Sequence, residues 1–178
     1  MKKLTKLLII TLPLLVCSCS KKEVEVSSVQ VRNGLYYSVG EDTPLTATIV
    51  SHHENGQQKL EMEVINGEKV GVENTWFANG KVDNKSVRNA DGSLKLTSYW
   101  ENGNLAFEKK LDAKGDGELS QYAVGGEKVH EIPYKGGLKN GEGKTWNVFN
   151  GAVYRVTYKD GRELKKEELN AFGKIKAK

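Results

Sequence analysis

Three histidines, one run of acids among glycines and two cysteines are the residues of this chain with the most obvious chemistry. His52 and His53 are adjacent, so on a strand they face opposite sides and cannot chelate one metal between them. His53 falls where later segments carry Phe77 and Trp100, which reads as a packing position. His130 stands alone. The run from Asp112 to Glu118 alternates acids and glycines like a cation loop. It lacks the full oxygen-ligand series and closing Glu of an EF-hand, and it falls where a turn is due. No Gly-Lys-Ser/Thr step enters a helix, so no phosphate loop is built. No Ser, Thr or Cys has a base in a recognisable setting. The expectation is a protein without catalytic residues, metal or cofactor.

The aromatic residues are the other candidates. Trp76-Phe77 and Tyr99-Trp100 are adjacent pairs, and neighbours on a strand point to opposite faces. The alternation of Val70 and Val72, and of Leu94 and Leu96, assigns Trp76 and Trp100 to the core face. Phe77 and Tyr99 are then the outward rings. They form the candidate binding face for a protein or an envelope glycan.

The cysteines belong to a different signal. Lys2, Lys3 and Lys6 precede an apolar run from Leu7 to Val16 that is too short to span a bilayer as a helix. This is the build of a secretory signal peptide. It ends on Val16-Cys17-Ser18-Cys19, where a bacterial lipobox sits. Ser18 supplies the small residue before cleavage, and Cys19 is the lipidation site. Cys17 fits worse because bulky Val16 precedes it. Cleavage there leaves 160 of 178 residues, with 24 basic and 23 acidic side chains, so the net charge drops from +4 to +1. A mature chain this close to neutral is no nucleic-acid binder. Ser20 is not the Asp that retains lipoproteins at the inner membrane of enteric bacteria. The expected location is the cell envelope, lipid-anchored, facing the periplasm or the cell surface, with the outer membrane favoured over the inner.

These features need elements to carry them, and the mature chain supplies a repeat. Glycines at 56, 67, 80, 92, 103, 115, 126 and 137 step by 11 to 13 residues. Most sit in Asn-Gly or Asp-Gly pairs, which suit type I′ hairpin turns. His53-Glu54-Asn55-Gly56, Phe77-Ala78-Asn79-Gly80 and Trp100-Glu101-Asn102-Gly103 recur at 24 and 23 residues. The unit is a hairpin of about 23 residues whose strands alternate apolar and polar residues. Leu60, Met62 and Val64 share a face, as do Val70, Val72 and Trp76. The predicted fold is all-β: an elongated, open array of antiparallel hairpins over 31–161, after a signal peptide (1–18) and a lipidated tether (19–30). The doubled glycine at 136 and 137 reads as a bulge. The charged tail 162–178, with Leu164, Leu169 and Phe172 among Lys and Glu, reads as a short helix or a frayed end.

The segment Tyr134-Lys135-Gly136-Gly137-Leu138-Lys139-Asn140-Gly141-Glu142-Gly143-Lys144-Thr145-Trp146 resembles a MORN repeat. The Phe77-Ala78-Asn79-Gly80-Lys81 step resembles the MORN-repeat-variant (YwqK-like) proteins of bacteria. The resemblance covers roughly Val31 to Gly161. Many members of that family carry an antitoxin label. The combined expectation is a membrane-anchored binding or scaffold module for a protein or envelope partner. The alternative is an antitoxin or immunity-like protein that neutralises an exported toxin.

Overall fold

A computed structural model describes residues 22–176. The signal segment 1–18, with Ser18, and the lipidation site Cys19 lie outside the described residues. The described chain has no α-helix; its one helical element is a 3-10 turn at Val26–Ser28. Strand β1 (Glu23–Glu25) leads through that turn into a hairpin of β2 (Val29–Arg32) and β3 (Leu35–Ser38). Then come β4 (Ala47–His52), β5 (Gln58–Ile65), β6 (Glu68–Trp76), β7 (Val82–Arg88), β8 (Leu94–Tyr99), β9 (Leu105–Leu111) and β10 (Gly117–Tyr122). The run closes with β11 (Lys128–Lys135), β12 (Leu138–Lys139), β13 (Gly141–Trp146), β14 (Val153–Lys159) and β15 (Arg162–Leu169).

Thirteen of these strands form one open sheet, and from β4 to β15 each strand pairs antiparallel with its sequence neighbours. β12 is a short spur on β11, while β13 continues the sheet. This is the elongated hairpin array expected from the glycine period. β1 pairs parallel to β4, with Glu23 beside Thr48 and Glu25 beside Val50. Residues 23–30, read as tether, are therefore partly built into the fold, because Val24 and Val29 pack on the first core.

The tail differs too. Residues 162–169 form β15, paired to β14 along its length with a bulge at Leu164, and not a helix. The strand alternates charges on both faces, and charged edge strands resist further pairing. A turn at Asn170–Lys174 then brings Ile175 back to bridge Leu169.

Register defines two faces. One row across the apolar face runs Ile49, Met62, Glu73, Ser86, Leu96, Lys109, Leu119 and Ile132. The opposite face carries Glu61, Asn74, Lys85, Thr97, Glu108, Ser120, Glu131, Lys144, Arg155 and Glu167 as successive neighbours. Signs mix along this charged face, and four of its lysines pair locally: Lys95 and Lys110 with Glu108, Lys128 with Glu131, Lys165 with Glu167.

The apolar face holds two cores. The first is Leu45, Ala47, Ile49, Met62 and Val64, with Ile49 and Val64 wholly buried. The β2–β3 hairpin closes it through Val29 and Tyr36. Gly67 fixes that hairpin: its N–H bonds Leu45, its carbonyl accepts from Tyr36, and its φ is +80°. A Cβ there would meet Pro44 and Leu35 at 3.0 and 3.1 Å. The second core is Ile132, Val156 and Tyr158, flanked by Leu119 and Tyr134. Between the cores, Thr75 accepts from the Asn84 backbone and donates to Asp83, so the middle of this face is polar.

Candidate binding face

The turns along one edge show how the repeat is joined. In His53–Gln57, Phe77–Lys81, Trp100–Asn104 and Ala123–Glu127 the first N–H bonds the fifth carbonyl, and the Gly N–H bonds the first carbonyl. The Gly has positive φ and the residue before it, Asn in three turns and Gly125 in the fourth, does not. These are type I turns with a glycine bulge, not the expected type I′ turns. Type I′ geometry, with positive φ at both residues, holds at Asn33-Gly34, Asn66-Gly67, Gly136-Gly137 and Asp160-Gly161. The doubled glycine is thus a two-residue turn between β11 and β12, not a bulge.

Each turn Asn works twice. Oδ1 of Asn55, Asn79 and Asn102 accepts from the backbone two residues on. Their Nδ2 groups donate to the carbonyls of Ala78, Glu101 and Val124, one repeat further along. His53 Nε2 reaches the Trp76 carbonyl at 2.7 Å, and Trp100 Nε1 the Tyr122 carbonyl at 3.2 Å. So the first turn position, when it carries a donor, adds a second rung. His52 points elsewhere, to Glu25 at 2.9 Å. Asp112 Oδ1 accepts from the N–H groups of Lys114 and Asp116, which makes the acidic run a turn.

This phase corrects the aromatic pairs. Phe77 and Trp100 both open turns, whereas Trp76, Tyr99, Tyr122 and Trp146 end strands on the charged face. Neither Trp76 nor Trp100 belongs to a core, and Trp100 is 40% exposed. Trp76 does share a face with Val70 and Val72, but it is the charged face. Val64 pairs with Lys69, and the two extra residues Gly71 and Val72 precede the Met62–Glu73 pair. Phe77 and Tyr99 are both half-buried and are not equivalent to each other. Tyr99 joins a row of one ring per repeat; Phe77 does not.

Sequence reasoning missed a second arrangement, over the second core. Lys109 Nζ lies 3.8 Å from the centre of the Tyr134 ring. Lys166 Nζ lies 4.7 Å from Tyr154, and Lys139 Nζ 5.7 Å from Tyr158. No hairpin covers these rings, and long lysine stems do so instead. An ammonium over a ring face is held by the ring quadrupole. Among the described residues none of these three lysines makes an ion pair, in contrast to four of those on the opposite face. His130 stands in the same patch, its Nδ1 3.0 Å from Thr145 Oγ1.

The electrostatics follow from that placement. Burial, and then the charge of Lys139, hold the Lys109 ammonium below its ordinary pKa. Burial, and then Lys166 and Lys139, do the same to His130. Burial raises the Tyr134 phenol; burial, then Glu163 and Tyr134, raise Tyr158. The patch carries net positive charge that its own residues do not cancel. One signal was available: Lys109 lies between Phe107 and Leu111 in apolar phase, where a leucine would continue the pattern.

No protein-family model matches the chain, and no curated protein is significantly similar to it.

Proposed function

We propose that this chain is a membrane-anchored repeat protein, of the kind its MORN-like hairpins suggest, and that it acts as a binding or scaffold module. Cys19, after cleavage behind Ser18, is the lipid anchor, and the array faces the periplasm or the cell exterior. Its partner is a protein or an envelope polymer, met on the sheet.

The observation that carries this reading is the asymmetry of charge between the faces. On one face Lys95, Lys110 and Lys165 are paired to neighbouring carboxylates, while Lys85 and Lys144 are not, among the described residues. On the other, three lysines over tyrosine rings have no such partner. Uncancelled, pre-positioned charge on a long regular surface suits recognition. Chemistry would need a nucleophile or an acid–base pair.

Two measurements test it. Labelled palmitate is expected to enter the full chain and not Cys19→Ser; equal labelling of both rejects the anchor. The full chain, captured from detergent-solubilised membranes, is expected to bring down a partner that survives washing. Recovery of no partner rejects the binding module, and a single stoichiometric toxin would establish the immunity-like alternative.

A further inference from the structure

The ligand that best fits the lysine–tyrosine patch follows from the spacing of its charges. Tyr134 on β11 and Tyr158 on β14 lie in one cross-strand row, two strand steps apart through β13, or about 10 Å. Tyr154 and Tyr158 are four residues apart on one strand, or about 13 Å. The rings that carry the three ammoniums are therefore anchored on the order of 10–13 Å apart at the backbone, with Lys109 and Lys139 near enough to feel each other's charge. A ligand that meets all three must span at least the Tyr154–Tyr158 separation, which one small anion cannot do. A nucleic-acid strand packs a phosphate about every 3.4 Å of axis and would leave most of its charges unmatched here.

We propose that this face binds an acidic glycan, a sugar chain whose carboxylates are separated by neutral residues, with Lys109, Lys139 and Lys166 each meeting one acid group. The inference rests on the binding-module reading and names its ligand class. Three observations support it. The ammoniums are already held by rings, so less side-chain freedom is lost on binding. None of the three makes an ion pair among the described residues, although Glu163 faces Tyr158 and Glu168, paired to Lys176, faces Tyr154, so their donors remain available. Lys109 is partly desolvated beside Lys139, a repulsion that a bound carboxylate relieves.

The test uses the purified full chain in detergent with a hyaluronan decasaccharide, whose acid sugars alternate with neutral ones. A chito-oligosaccharide of equal length is the uncharged control, and a thymidine oligonucleotide the densely charged one. Hyaluronan is expected to bind, more weakly as salt rises, and both controls to bind poorly. Lys109→Gln, Lys139→Gln and Lys166→Gln are each expected to weaken binding about tenfold. Lys95→Gln and Lys165→Gln, on the opposite face, are expected to leave it unchanged. Lys139→Arg keeps the charge over its ring and is expected to retain binding, which separates lost charge from lost fold. Equal loss from variants of either face, or equal binding of the oligonucleotide, overturns the proposal. So does an absence of hyaluronan binding by a chain with native melting. If membrane capture of a protein partner persists in the triple lysine variant, the glycan inference fails while the binding module stands.

Discussion

The two cores share one sheet face and one row of residues, yet they are finished differently. The first is closed by chain: a hairpin lies on Ile49, Met62 and Val64 and excludes water. The second is closed by side chains: lysines lie over Tyr134, Tyr154 and Tyr158 with their ammoniums on the ring faces, that of Lys109 partly buried. A cover of chain adds buried apolar area and leaves nothing to recognise. A cover of lysines buries less and displays charge. The difference separates the part of the array that stabilises from the part offered to a ligand.

The largest expected break of this contrast is in the first core. Ile49→Ala is expected to cost about 2–5 kcal/mol in urea unfolding, because the covering hairpin cannot collapse into the vacancy. Ile132→Ala is expected to stay near 2 kcal/mol, since flexible lysine stems can settle over the gap. Equal losses at the two sites would erase the distinction. Next comes Gly67→Ala, which forces a left-handed conformation against Pro44 and Leu35. It is expected to cost about 1–2 kcal/mol and to speed hydrogen exchange at the Tyr36 amide, which bonds Gly67, while exchange in β11 to β14 stays native.

A smaller effect belongs to the turn ladder. Asn102→Ala removes the donor to the Val124 carbonyl and the acceptor for the Asn104 N–H. About 1 kcal/mol is expected, with faster exchange confined to that turn and the next. The smallest effect is on the second core, as a dependence on pH. His130 is surrounded by Lys139, Lys166, Gln121, Thr145 and Tyr154, and its pKa is lowered. The folded state then binds fewer protons than the unfolded one. Its stability contribution is complete above the unfolded value of about 6.5 and is lost as pH falls through the folded value. Glu108, lowered chiefly by its hydrogen bond to Lys110, has the same sign but acts in the more acidic carboxylate range. Melting between pH 7.5 and 5 should fall for the wild type and flatten in His130→Gln.

Much of this architecture was legible in the residues, for physical reasons. Glycine fills most positions where φ is positive, with Asn33, Asn66 and Asp160 the others, so the glycine steps exposed the hairpin period directly. The turn type was not legible. Asn-Gly occupies the two central positions of a type I′ turn and the third and fourth of a type I turn with a bulge. That one-residue difference in phase also misplaced Trp100, which opens a turn, while the Gly71–Val72 bulge misplaced Trp76. The strand Arg162–Leu169 was missed because its charges read as solvated tail, although an edge strand needs charges on both faces. The lysine–tyrosine patch was hidden for a related reason. Periodicity counts Lys109 as an interruption of an apolar row, while in space its stem completes that row and its ammonium leaves it.

The turn ladder also sets how this protein ages. Each rung at Asn55, Asn79 and Asn102 is an asparagine followed by glycine. That sequence most readily cyclises to a succinimide, because glycine leaves the attacking backbone nitrogen unshielded. Hydrolysis then yields aspartate or isoaspartate. The amide that donated to the neighbouring turn becomes a carboxylate facing a carbonyl, and attraction turns to repulsion. Each event adds one negative charge and cuts one link between successive repeats. At these three turns the wear falls on the ladder edge, so successive hairpins loosen from one another there while the strand pairing between them is left in place.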